Sequence, residues 1–204
     1  LINNAALLLA LGLLYGLMQH RSDELQWQII RGVFFGLIGI GVMMNPWHLV
    51  PGVIFDTRSI LLSVGGLFLG TVSTLVALVI TCGYRIYLGG AGVVMGIGVL
   101  VTSGFLGLLW VRRRKQPAYL FGGWEFYLFG IVVHVAMLLW MMTLPTHTSG
   151  LALQKLSLPV MLIYPAATVL LARLLAGQEL QFHNRVALDK SERQLQRLVE
   201  ASPM

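Results

Sequence analysis

The chain has 204 residues and a net charge of +6, and hydrophobic residues make up 57% of it against 11% charged. A soluble domain carries about a quarter charged residues, so this composition, with a mean hydropathy of +0.80, excludes a water-soluble globule. The basic excess is no nucleic-acid signature, because Lys and Arg gather at the ends of apolar runs, where they act as topology signals.

A helix needs about 20 apolar residues to cross a hydrocarbon core of about 30 Å. Leu1 to Met18 is the first such stretch. It has no positive n-region and no small-residue cleavage site, which argues against a signal peptide, and a chain that begins with Leu1 rather than Met reads as a fragment. Ile29 to Met44 is the second. The segment Asn45-Pro46-Trp47-His48-Leu49-Val50-Pro51-Gly52-Val53-Ile54-Phe55-Asp56-Thr57-Arg58 follows. Its prolines and glycine stop a helix, and it ends with an acid and a base in an otherwise uncharged region, so it reads as an ordered loop. Ser59 to Gly83 is long enough to span but holds Gly65-Gly66 and Gly70 near its middle. Tyr84-Arg85-Ile86-Tyr87-Leu88-Gly89-Gly90-Ala91-Gly92, an arginine between two tyrosines leading into a glycine run, is read as the next loop. Gly92 to Val111, Tyr119 to Met142 and Leu153 to Ala176 complete about six hydrophobic segments. The expected fold is an all-α polytopic membrane protein.

Arg112-Arg113-Arg114-Lys115 and the charged tail from Arg173 onward are separated by two spans, so both face the cytoplasm under the positive-inside rule. The uncharged Pro145 to Gln154 loop and the Tyr84 to Ala91 loop then lie outside. Ser59 to Gly83 has two readings. As one tilted helix, its glycines allow close packing and Arg58 and Arg85 fall on opposite sides. If the chain turns back at Gly70-Thr71, each arm has about 12 residues, about 18 Å, neither arm spans, and both arginines sit on the outer face. Half-helices are tolerated where other helices cover them, and in transporters they line binding sites; this re-entrant pair is favoured.

The succession of Pro51-Gly52-x-x-Phe55-Asp56-x-Arg58, Gly66-Leu67-Phe68-Leu69-Gly70 and Tyr84-Arg85-x-Tyr87-x-Gly89-Gly90-Ala91-Gly92 resembles the membrane sensor domain of LytS/YhcK-type receptors, the 5TM type. At the turn this chain has Gly70-Thr71 where that pattern has Gly-Pro. The resemblance covers roughly 32–176 and implies a bundle similar in outline to the substrate-binding subunits of ECF-type vitamin transporters. It also implies relatives that sense small organic acids. Ser191 to Pro203 resembles the helix that leads into a PAS domain of bacterial signalling proteins, and Leu188, Leu195 and Leu198 share one helical stripe.

The domain expectation is therefore a transmembrane sensor over 1–176, with an extra N-terminal span at 1–18, and a cytoplasmic linker helix over 177–204 leading to an absent PAS domain. Arg58 and Arg85 are the leading ligand residues, since a charge at membrane depth is costly and pairs or faces a polar cavity, and a guanidinium fork suits a carboxylate. Asp56, Asn45, Tyr84, Tyr87, Gly89 and Gly90 complete the candidate ligand-binding set. The competing reading pairs Arg58 with Asp56 and leaves Arg85 snorkelling or stacked on Tyr84 and Tyr87.

Glu125 is expected to pair with the Arg112 to Lys115 cluster and His134 to be a packed, hydrogen-bonded residue. The single cysteine, Cys82, excludes an internal disulfide, and no histidine spacing suits a metal, so no metal, cofactor or catalytic residue is expected. The whole reads as the sensory input domain of a bacterial inner-membrane receptor with a cytoplasmic C-terminus. It would bind a small carboxylate, dimerise through its C-terminal helix and drive a histidine kinase or diguanylate cyclase. Small-molecule uptake is the alternative.

Overall fold

The computed structural model describes Gly12, Tyr15, Gly16 and residues 24–44, 47–50, 53–55, 57–144 and 146–201. Most of the expected N-terminal span, together with Asn45 and Asp56, lies outside the described residues. Helix α1 covers Leu25–Met44, and a two-stranded antiparallel ribbon follows, β1 (Trp47–Val50) with β2 (Val53–Phe55). The helices after it are α2 (Arg58–Phe68), α3 (Gly70–Leu88), α4 (Val93–Arg114), α5 (Gly123–Trp140) and α6 (Thr146–Ala201). Short 3-10 turns at Ala118–Leu120 and Met141–Thr143 join the last three. Five of the described helices are long and apolar enough to cross a membrane. The fold is all-α polytopic, and the 45–58 segment that reads as an ordered loop contains the ribbon.

The chain reverses between α2 and α3. Gly70 has φ 78°, a left-handed conformation that a side chain rarely adopts. Beyond it the helix runs back along α2. The Thr74 hydroxyl reaches the Gly65 carbonyl at 3.5 Å, and Leu61 and Thr81 meet against Gly39. The re-entrant pair is thus formed, with one correction. Its arms are unequal: α2 has 11 residues, about 16 Å, and does not cross, whereas α3 has 19 and does. The second arm is long because the lone Gly83 is carried inside the helix, which ends only at the Gly89-Gly90 pair, so Tyr84 to Leu88 are helix rather than loop. Residues 146–154, expected as loop, are likewise the first turns of α6.

Helix α2 is the pillar of the bundle. All of its residues are buried, and α1, α3, α4, α5 and α6 all touch it. Its closest approach is to α4, where a β-carbon on Gly66 would meet the Gly104 carbonyl at 2.5 Å and Gly107 abuts the Ser63 carbonyl. Helix α1 runs parallel to α3, with Gly32 against Ser73, Gly36 against Ile80 and Gly39 against Thr81. The far tip of α2 lies toward the end of the bundle that carries Arg112 to Lys115. Phe68 meets Phe126, with ring centroids 6.3 Å apart, one residue from Glu125, whose carboxylate is 2.7 Å from Arg114. We refer to this as the basic end. The expected pairing of Glu125 with the basic cluster is present.

Helix α6 has 56 residues and contains Pro159 and Pro165. Pro165 packs on Gly130 of α5, where the missing side chain makes room for the ring. At about 1.5 Å per residue α6 is about 84 Å long, far beyond a bilayer. From 187 to 197 every residue is exposed, so one continuous helix joins the bundle to a solvated rod.

Candidate functional site

The non-crossing helix begins below the surface of the bundle, and that depth defines the site. The antiparallel meetings of Gly65 with Thr74 and of Leu61 with Thr81 place Arg58, which opens α2, beside the stretch 81–84, four to seven residues short of the end of α3, about 6–10 Å in. It is 7% exposed, between Thr57 and Ser59, which are also buried. On α3 the interior stripe is Thr74, Ala77, Leu78, Thr81 and Arg85, the three- and four-residue spacing of one helix face. Arg85 is therefore one turn nearer the surface than Thr81 and 5% exposed. Arg58 thus lies beside 81–84 and Arg85 directly follows that stretch on α3, so both arginines occupy the same end of the bundle, opposite the basic end.

Gly89 and Gly90 close α3 with φ 65° and 87°. That turn brings the Gly89 carbonyl back to accept a hydrogen bond from Arg85 Nη1 at 2.8 Å. Gly92 and Gly96 of α4 supply the floor, because a β-carbon at Gly92 would lie 3.2 Å from Arg85 Nη2 and one at Gly96 would collide with Nε. The glycine run is a cradle for one arginine side chain. Gly89 belongs to it directly and Gly90 through the turn.

The tyrosines are not brought to the arginine. Tyr84 and Tyr87 stack on one another with centroids 6.1 Å apart, and Tyr87 is 84% exposed. Residue 87 lies about 200° around the helix from residue 85, so it faces away from the interior. Arg85 does not snorkel outward, since its side chain is buried.

Ser59, Thr81 and Gly96 join the site without being singled out by sequence, and His134, expected as a packed residue, joins them. His134 is fully buried in α5, and its Nδ1 lies 2.7 Å from the Gly130 carbonyl. A carbonyl only accepts, so Nδ1 carries the hydrogen. In the neutral ring Nε2 is then an acceptor, and it receives the Ser59 hydroxyl at 3.3 Å. Tyr164 of α6 closes the other side edge-on, 5.1 Å between centroids. A polar thread thus runs from Arg58 through its neighbour Ser59 and His134 to the helix that leaves the bundle. The expectation that His134 is a packed, hydrogen-bonded residue agrees with this geometry. The signal in the sequence was the position of Ser59 directly after Arg58, which helix geometry alone could not connect to residue 134.

Arg31, Arg58 and Arg85 are the buried charged side chains among the described residues, and Arg31 shares a cleft with Glu179. A family model described as the 5TMR of 5TMR-LYT matches residues 11–178. No curated protein and no solved structure matches the chain. The match begins before the motifs at 32–176 and takes in Gly12, Tyr15 and Gly16, which pack against Leu174, Phe68 and Gln178 respectively. The chain belongs to the 5TMR-LYT family, and its bundle is a membrane-embedded receptor domain rather than a catalytic one.

Proposed function

We propose that the bundle is the sensory input domain of a bacterial inner-membrane receptor, and that it binds a small organic anion, most simply a carboxylate, between Arg58 and Arg85. The carrying observation is the burial of two guanidiniums, Arg58 and Arg85, at one end of a re-entrant helix pair. Gly89 and Gly90 border the same loop end and belong to the proposed pocket, to which Asp56 and Asn45 are assigned by their place in the sequence alone; Tyr84 and Tyr87 would form only its outer rim.

Under the positive-inside rule the basic end faces the cytoplasm, so the site opens outward and the C-terminal rod points inward. The hairpin tip supports a relay. Leu69 to Val72 share a cleft of about 450 Å³ at the basic end with Arg31 of α1 and with Glu179, Phe182 and His183 of α6. A shift of α2 on ligand binding would reach α6 at two levels, at Tyr164 through His134 and at this cleft. Helix α6 would then carry the change to a PAS domain and a histidine kinase or diguanylate cyclase, in a dimer joined through its exposed stretch.

Thermal-shift and calorimetric titration of the purified chain with a panel of short carboxylates tests the site. A stabilising carboxylate whose effect falls at least tenfold in affinity in Arg58→Ala and Arg85→Ala supports it, and an undiminished shift in both variants refutes it. Uptake of the same labelled carboxylate into vesicles would support transport instead.

A further inference from the structure

We propose that the groove between α3 and α4 at the basic end is a binding site for an anionic phospholipid of the adjoining leaflet, with one acyl chain in the groove and the headgroup on Arg112. The groove encloses about 520 Å³, with Leu75, Val101, Phe105 and Leu109 on its walls and Thr71 and Arg112 toward its polar end. Leu75, Phe105 and Leu109 are among the exposed large apolar residues, and on spanning helices such a face looks into lipid rather than water.

Length supports one acyl chain. From Val101 to Arg112 a helix rises about 16 Å, about half of a hydrocarbon core of about 30 Å. The groove therefore occupies one leaflet, starting near mid-membrane and ending at the headgroup level. Its polarity is as one-sided as a lipid's. Thr102, the remaining polar side chain on the wall, already accepts the Trp140 indole N–H at 2.8 Å. That leaves Thr71 and Arg112 to meet a headgroup.

Charge selects the headgroup. No carboxylate lines the groove, and the Glu125 carboxylate is taken by Arg114 and by the Trp110 indole. Among the described residues Arg112 makes no ion pair. A guanidinium binds phosphate oxygens in a fork. A net-negative headgroup gains from the surrounding Arg113 and Lys115, which a zwitterionic headgroup, carrying its own cation, does not. Thr71 directly follows the Gly70 turn, so the bound lipid would lie against the tip of the re-entrant pair.

The test embeds the chain in nanodiscs of equimolar phosphatidylglycerol and phosphatidylethanolamine and reads the lipids retained on release by native mass spectrometry. Wild type is expected to keep phosphatidylglycerol in preference to phosphatidylethanolamine, and Arg112→Gln to lower that retention about fivefold, the effect of one basic residue at a membrane surface. Leu75→Trp, which fills the groove and leaves every charge in place, is expected to lower it as well, with thermal unfolding confirming that both variants fold. Equal retention of the two lipids by wild type, or unchanged retention in both variants, overturns the proposal. Displacement of phosphatidylglycerol by millimolar inorganic phosphate would make Arg112 a free-phosphate site and overturn it too.

Discussion

His134 shows how one fixed hydrogen bond sets the meaning of its neighbours. Because Nδ1 is committed to the Gly130 carbonyl, Nε2 can only serve Ser59 as an acceptor in the neutral ring, and Ser59 in turn adjoins Arg58. Replacing His134 with Phe leaves the buried Ser59 hydroxyl only the weak Met137 thioether acceptor at 3.8 Å, a loss of about 1–3 kcal/mol. Thermal unfolding followed by tryptophan fluorescence should show His134→Phe clearly destabilised. Adding Ser59→Ala should cost less than the sum of the two single changes. Glu125 is the contrasting case. Its partner Arg114 has a half-exposed side chain, and exposed pairs contribute about 0–1 kcal/mol, so Glu125→Gln should barely move the same unfolding curve. The sequence exposed Arg58 and Arg85 because charges are scarce among the spans. Tyr84 and Tyr87 read as loop in the sequence because a glycine run follows them, and a rotation of about 100° per residue does not apply to a loop. Once α3 is seen to run to Leu88, helix phase alone turns Arg85 inward and Tyr87 outward.

At the level of elements, two glycines make the re-entrant pair and they act differently. Nothing lies within 4 Å of a β-carbon at Gly70, so a substitution there meets open space and only the left-handed backbone resists it. Gly70→Val should lower stability by about 1–2 kcal/mol, whereas Gly70→Asn should cost much less, since Asn visits that conformation. This comparison of unfolding temperatures separates backbone strain from packing. Gly107 is the opposite, closed in by the backbone of Ser63 and Gly66, and Gly107→Leu should push α4 from α2 and prevent recovery of folded protein on size exclusion. The break was legible because glycine punctuates an apolar run. The inequality of its arms was not, because the length of α3 depends on where the next breaker falls, and the burial of α2 depends on five helices distant in sequence. The ribbon at 47–55 was beyond reach for a related reason, since prolines show where a helix stops and not what replaces it.

For the molecule as a whole, apolar lengths and basic clusters were enough to give a multi-spanning α bundle. The closing of that bundle around a helix too short to cross emerges only from tertiary contacts. The unbroken α6 makes a mechanical prediction. If it transmits by rotation or piston motion, one residue inserted after Ala187 turns everything beyond it by about 100°, whereas seven residues nearly restore the phase. In a receptor carrying its output domain, the single insertion should alter output and the heptad insertion should largely preserve it. Equal output from both would argue for a passive tether.

The depth of Arg58 carries one more consequence. A ligand that reaches a guanidinium about 6–10 Å inside a core of about 30 Å has crossed up to about a third of the membrane's electric field. For a monovalent anion entering from the positive outer face, that fraction opposes binding by up to about 0.7 kcal/mol per 100 mV, scaled from about 2.3 kcal/mol for a full crossing. Occupancy would then rise on depolarisation by up to about threefold per 100 mV, which titration in proteoliposomes with and without an imposed potassium diffusion potential would measure. A receptor built on a half-height pillar that binds its ligand at Arg58 would report the energised state of its membrane together with the concentration of that ligand.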